Sequence, residues 1–142
     1  MAGYSGTPLV KKLGIGEADT VAFRAAPEGF GATLGELPDS VQVKARVRGP
    51  VDVVVAFFTG RAELDRRLDA LGRAVYPDGS LWIAWPKRSS AIPTELDFST
   101  VQGSGLESGL VDNKSCSIDE QWQALRFVRR LRDRPGMQAG QR

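Results

Sequence analysis

The sequence predicts an α/β fold, an open and mostly parallel sheet of about six strands that ends in a C-terminal antiparallel hairpin, with helices on both faces. Three observations predict it. Val51 to Phe58 is a nearly unbroken apolar run rich in β-branched residues, which a strand covered on both faces requires. Leu64, Leu68, Leu71 and Val75 recur at helical spacing, with Arg61, Glu63, Asp65, Arg66, Arg67 and Asp69 mostly turned away, so a surface helix follows that strand. Leu81 to Trp85 then begins a second apolar run. A parallel pair joined by a right-handed crossover helix is the economical arrangement of such a unit.

The remaining elements follow from local signals. Thr7 and Pro8 read as the N-cap and first residue of a short helix that carries Leu9, Val10 and Leu13 and stops at Gly14. Asp19 to Ala25 is the first strand, Ala26 to Gly29 its exit loop, and Phe30 to Leu37 a helix weakened by Gly31 and Gly35. Pro38, Asp39 and Ser40 turn the chain into a second strand at Val41 to Val47. Thr59 offers a side-chain oxygen to the start of the crossover helix, and Pro77, Asp78 and Gly79 break the chain after it. Beyond Trp85, Pro86 to Pro93 is a loop, and Leu96, Val101 and Leu106 mark a glycine-loosened helix. Leu110 to Ile118 and Trp122 to Arg130 are the last two strands, joined by a turn at Asp119 to Gln121. Trp82 and Trp85, three apart on a strand, point to opposite faces as core residues.

Composition bounds the function. At 142 residues the chain has the size of one domain, expected over 1–134 with a disordered basic tail at 135–142. A net charge of +2 gives no field that would favour nucleic acid or acidic substrates. The one cysteine, Cys116, excludes an internal disulfide, suits a reducing cytoplasmic compartment and reads as a buried, inert thiol. The sequence contains no histidine, which removes histidine triads and the commonest metal ligand. No apolar run approaches the length of a membrane span.

The order of parts resembles a shortened class I methyltransferase, the Rossmann-like family that binds S-adenosylmethionine. GPVDVVVAFF looks like that family's fourth strand, YPDGSLWIAWPK like its turn and fifth strand, and the terminal hairpin like its sixth and seventh. The chain departs from the family at two places. The family's glycine-rich loop after the first strand is here Ala25, Ala26, Pro27, Glu28 and Gly29. Its acid at the end of the second strand is replaced by Lys44, Ala45, Arg46 and Val47. A second likeness covers nearly the whole chain. YSGTPLVKKLGI, APEGF, RGPVDVVVAFF, PDGSLWIAWPKRSS and CSIDEQWQALRFVRR resemble a group of small bacterial proteins catalogued as domain of unknown function number 3052. That resemblance implies the Rossmann-like shape and no activity.

In open α/β sheets ligands bind beyond the carboxyl ends of the parallel strands. The rule brings Glu28, Lys87, Arg88, Ser89, Ser90, Asp119, Glu120 and Trp122 to one rim. Two cations and two hydroxyls in Lys87 to Ser90 can hold phosphate or carboxylate. The same residues also describe a solvated loop that caps the next helix, the simpler reading, because KRSS has no glycine scaffold of the P-loop kind. Glu28, Asp119 and Glu120 serve as acids or bases only if burial or repulsion shifts them. Trp122 follows a turn and is placed to cover the crevice.

The expectation is therefore a non-catalytic binding or regulatory module that holds a small anionic ligand or a protein partner, without cofactor or metal. A divergent methyltransferase is the alternative, and only that alternative brings in S-adenosylmethionine. Nucleic-acid association through Arg126, Arg129, Arg130, Arg132 and Arg134 is a weaker reading, since Asp133 interrupts the run. Homo-oligomerisation is left open.

Overall fold

The computed structural model describes residues 7–130 of the chain. Its strands are β1 (Thr20–Arg24), β2 (Gln42–Lys44), β3 (Val51–Phe57), β4 (Val75–Pro86), β5 (Leu110–Ser117) and β6 (Trp122–Arg129). They form one sheet in the order β2-β1-β3-β4-β6-β5. The first four are mutually parallel, and β6 runs antiparallel to both β4 and β5. The helices are α1 (Leu9–Lys12), α2 (Phe30–Leu34), α3 (Arg61–Ala74) and α4 (Phe98–Glu107). This is the Rossmann-like α/β sheet with a C-terminal antiparallel hairpin that the hydrophobic pattern predicts.

The period of two along β4 sorts its side chains between two cores. Leu81, Ile83 and Trp85 join Leu64, Leu68 and Leu71 of α3 and Val101 of α4 on one face. Trp82 and Ala84 join Leu9, Val10 and Leu13 near α1 and Phe30 and Leu34 of α2 on the other. The two tryptophans thus face opposite ways, and all seven residues of β3 are buried between the layers. Trp82 adds a polar tie, since its Nε1–H donates to the Leu13 carbonyl at 3.0 Å and pins the end of α1 to the sheet.

Three local expectations need correction. Thr59 does not cap α3: Gly60 is the N-cap without a side-chain bond, and the Arg61 N–H is taken instead by Glu95 Oε1 at 2.9 Å. A carboxylate from a distant loop does this work, a contact that local sequence cannot reveal. Pro77, Asp78 and Gly79 do not separate helix from strand, because β4 begins at Val75 and the irregularity is absorbed inside it. Val51 pairs with Val75 but Val53 pairs with Ser80, so the extra residues bulge out, where proline's missing N–H costs no ladder bond. The second strand is limited to Gln42–Lys44, a short edge strand that exposes little unpaired backbone. The predicted tail at 135–142 lies outside the described residues.

Candidate functional site

Because β1, β3 and β4 are parallel, their carboxyl ends share one edge of the sheet. The antiparallel pairing of β6 with β4, which sets Trp122 opposite Pro86, brings the β5–β6 turn to that edge as well. The loop after β4 and this turn are in direct contact: the Lys87 N–H donates to the Gln121 carbonyl at 2.7 Å. The two loops expected to meet at the rim do meet there.

Their side chains are largely occupied in holding the loops. Asp119 Oδ1 accepts the N–H groups of Gln121 and Trp122, both at 2.8 Å, and so shapes the turn itself. Ser90 Oγ accepts the Ile92 N–H at 2.9 Å. Asp97, the N-cap of α4, accepts the Thr100 N–H at 2.8 Å. Its bonds from Thr100, with a smaller contribution from the Arg88 charge, hold its carboxyl below the usual range. Arg88, Ser89, Glu28 and Glu120 are exposed.

Lys87 differs from these. Its Nζ donates to Ser117 Oγ at 2.6 Å, and that hydroxyl donates onward to the Asp119 carbonyl at 3.1 Å. Lys12, at the end of α1, approaches the same residue from another side, with Nζ 3.4 Å from the Ser117 carbonyl oxygen. Two ammonium groups from elements 75 residues apart therefore converge on one serine, and neither joins an ion pair among the described residues. The neighbouring Cys116 senses them: burial pushes its thiol up, while Lys12, Lys114 and Lys87 pull the other way. Lys12 carried no motif; only the topology brings it to Lys87.

The rim is not one cavity. Lys87, Arg88 and Ser90 line a hollow of ≈ 550 Å³ beside Asp97 and Phe98. Asp119 and Glu120 line a different cleft of ≈ 720 Å³, shared with α1 and α2. Trp122, only 7% exposed, packs edge-on against Phe57 and borders a third hollow of ≈ 240 Å³. Glu28 lines none of these three. The eight residues share an edge but are divided among separate surfaces.

The third hollow lies between the ends of β1 and β3, where the strand order reverses and an α/β sheet usually offers its ligand crevice. Sequence reasoning missed what occupies it. Arg24 ends β1, donates to the Phe57 carbonyl at 3.0 Å, pairs with Glu63 at 2.7 Å and lies 4.2 Å above the Phe58 ring. Glu63 also receives Arg66 and Arg67, and bonds from Arg67 and Arg66 hold its carboxyl below the usual range. A basic residue closing an apolar strand, with an acid in the first turn of the next helix but one, was the available signal.

The arginines proposed for nucleic acid are partly committed elsewhere. Arg126 Nε donates to Ser80 Oγ at 2.8 Å, and Arg129 reaches the carbonyls of Gly72 and Val75. Arg132 and Arg134 lie outside the described residues. Among the described residues no acid, thiol or imidazole cluster could hold a metal, and no helix is long and apolar enough to cross a membrane.

No protein-family model matches the sequence, nor does any curated protein, so the likeness to the small bacterial domain rests on its sequence blocks alone. The fold does match solved structures. A SAM-dependent methyltransferase from Aquifex aeolicus is 18% identical with a TM-score of 0.58, over 84% of this chain and 86% of that one. The mitomycin 7-O-methyltransferase MmcR is 12% identical with a TM-score of 0.55, over 79% and 49%. The pyocyanin biosynthetic protein PhzM is 10% identical with a TM-score of 0.57, over 86% and 53%. The chain spans about half the length of the last two. At these identities the likeness is one of fold, and the fold is methyltransferase-like.

Proposed function

We propose that the chain is a non-catalytic binding module with a methyltransferase-like fold that holds a small anionic ligand at the carboxyl edge of its sheet. The observation that supports it is the convergence of Lys12 and Lys87 on Ser117 without a carboxylate partner among the described residues. An anion beside Ser117 would accept charge-assisted hydrogen bonds from these ammonium groups. The Ser117 hydroxyl fixes Lys87 there, accepting from its Nζ while donating to the Asp119 carbonyl.

The fold neighbours favour a second reading, a divergent S-adenosylmethionine-dependent methyltransferase, and fold likeness taken alone speaks for it more than for a module. The residues at the β1–β3 crevice do not fit that cofactor. Where backbone would have to approach it, the chain has Ala25, Ala26 and Pro27, and proline offers no N–H. Lys44 at the end of β2 donates to the Arg48 carbonyl instead of offering an acid to a ribose. The crevice is small and already holds the Arg24–Glu63 pair, which a ligand would have to break.

The module reading is tested by following backbone amide resonances during titration with inorganic sulfate and pyrophosphate. The largest saturable shifts are expected at Lys12, Lys87 and Ser117. Lys87→Ala should weaken binding about tenfold and cost less than about 1 kcal/mol of stability, since it removes one partly exposed hydrogen bond. Shifts confined to other loops, or an affinity that Lys87→Ala leaves unchanged, would overturn the assignment.

A further inference from the structure

We infer that the ligand is amphipathic: an apolar body lying in the cleft between α1, α2 and the β5–β6 turn, with a single anionic head group at Lys12, Lys87 and Ser117. The inference rests on the module reading and specifies its ligand class. At ≈ 720 Å³ the cleft is larger than the hollows at the β4 loop and at the β1–β3 crevice, and it lies within the range of about 300–1,000 Å³ typical of small-molecule sites.

Its chemistry has two ends. Leu9 and Val10 of α1, Leu34 of α2 and Ile118 beside the turn give it an apolar lining continuous with the core beneath. Lys12 and Ser117 line the same cleft, and Lys87, which lines the neighbouring hollow, reaches the Ser117 hydroxyl at their common border. An inorganic anion engages only the ammonium groups; a hydrocarbon or aromatic body also covers what little of these apolar side chains is exposed, together with the exposed Pro8 and Ala32 beside them.

The acids on the cleft narrow the class further. The carboxylate of Asp119 is taken up by the Gln121 and Trp122 N–H groups, which leaves Glu36 and Glu120 exposed on the rim. A second negative charge on the ligand would meet them, so one head group on an apolar body fits better than a polyanion such as a nucleotide.

The test titrates the full chain with anilinonaphthalenesulfonate, an aromatic body bearing one sulfonate, and with its uncharged relative phenylnaphthylamine, beside inorganic sulfate. The sulfonate should bind one-to-one, at least about tenfold tighter than sulfate and about tenfold tighter than the uncharged dye. Lys12→Ala should remove the advantage of the charged dye and leave the uncharged one unchanged. Thr33→Trp, which fills the cleft from the exposed side of α2, should abolish dye binding and spare sulfate binding, with thermal unfolding confirming that both variants fold. Sulfate binding with no tighter binding of the dye, equal affinity for the two dyes, or full dye binding by Thr33→Trp overturns this inference while the module reading stands. Co-sedimentation of the chain with phosphatidylglycerol vesicles would point to a lipid surface and overturn it too. If neither sulfate nor the dye binds, both fall.

Discussion

Gly105→Ala is expected to destabilise the chain by about 3 kcal/mol, whereas Gly103→Ala, two residues earlier on the same helix, should stabilise it by about 0.5 kcal/mol. The difference lies in what each new methyl group would meet. At Gly105 it would lie 2.7 Å from Phe127 Cδ1 and closer still to Cε1 and Cζ, and that ring is 1% exposed inside the core between α4 and β6. The ring has nowhere to swing, so the helix must lift off the sheet. At Gly103 nothing lies within 4 Å, and alanine only removes backbone freedom from the unfolded chain. Urea unfolding of both variants measures the contrast. Equal effects would mean that α4 does not seat on Phe127.

Trp82→Ala should cost about 3–5 kcal/mol, among the largest single losses available in this core. The side chain is fully buried, and its indole N–H carries the bond to Leu13. Trp82→Phe separates the two contributions, because it keeps most of the aromatic bulk and leaves the Leu13 carbonyl without its donor, a cost of about 1–3 kcal/mol. The consequence reaches the site. Helix α1 is one turn long and has little intrinsic stability, so its position depends on this anchor and on the burial of Leu9, Val10 and Leu13. Lys12 rides on that helix. Trp82→Phe should therefore weaken sulfate binding several-fold in a chain that remains folded, as read by the same amide titration; unchanged affinity would show that α1 holds its place without the indole.

The layers of the fold were legible because burial leaves a periodic trace. The unbroken run of β3, the four-three-four spacing of α3 and the alternation of Leu125 and Phe127 on β6 each report a face that meets a core. What local pattern could not carry were contacts between distant segments. Glu95 caps α3 across 34 residues, and Thr59, the local candidate, contributes only its carbonyl, to Glu95 N–H and Thr94 Oγ1. The bulge in β4 hid a strand behind a turn signature, because Pro77 and Gly79 look the same in a bulge as in a loop. The site was legible to the same degree. Strand order places the Lys87 loop beside the Asp119 turn, but whether a side chain faces a ligand or its own backbone depends on hydrogen bonds that spacing does not encode. Asp119 and Ser90 proved to hold their own turns, while Lys12, which had no motif, stands with Lys87 at Ser117.

This methyltransferase-like fold is expected to hold an anion at Lys12 and Lys87 and not the methyl donor at the β1–β3 crevice. Calorimetric titration of the full chain with S-adenosylmethionine tests it most directly. No saturable heat is expected up to roughly millimolar ligand, a ceiling of about −4 kcal/mol in binding free energy. A saturating isotherm with a micromolar dissociation constant would contradict that expectation and favour the methyltransferase reading in its place.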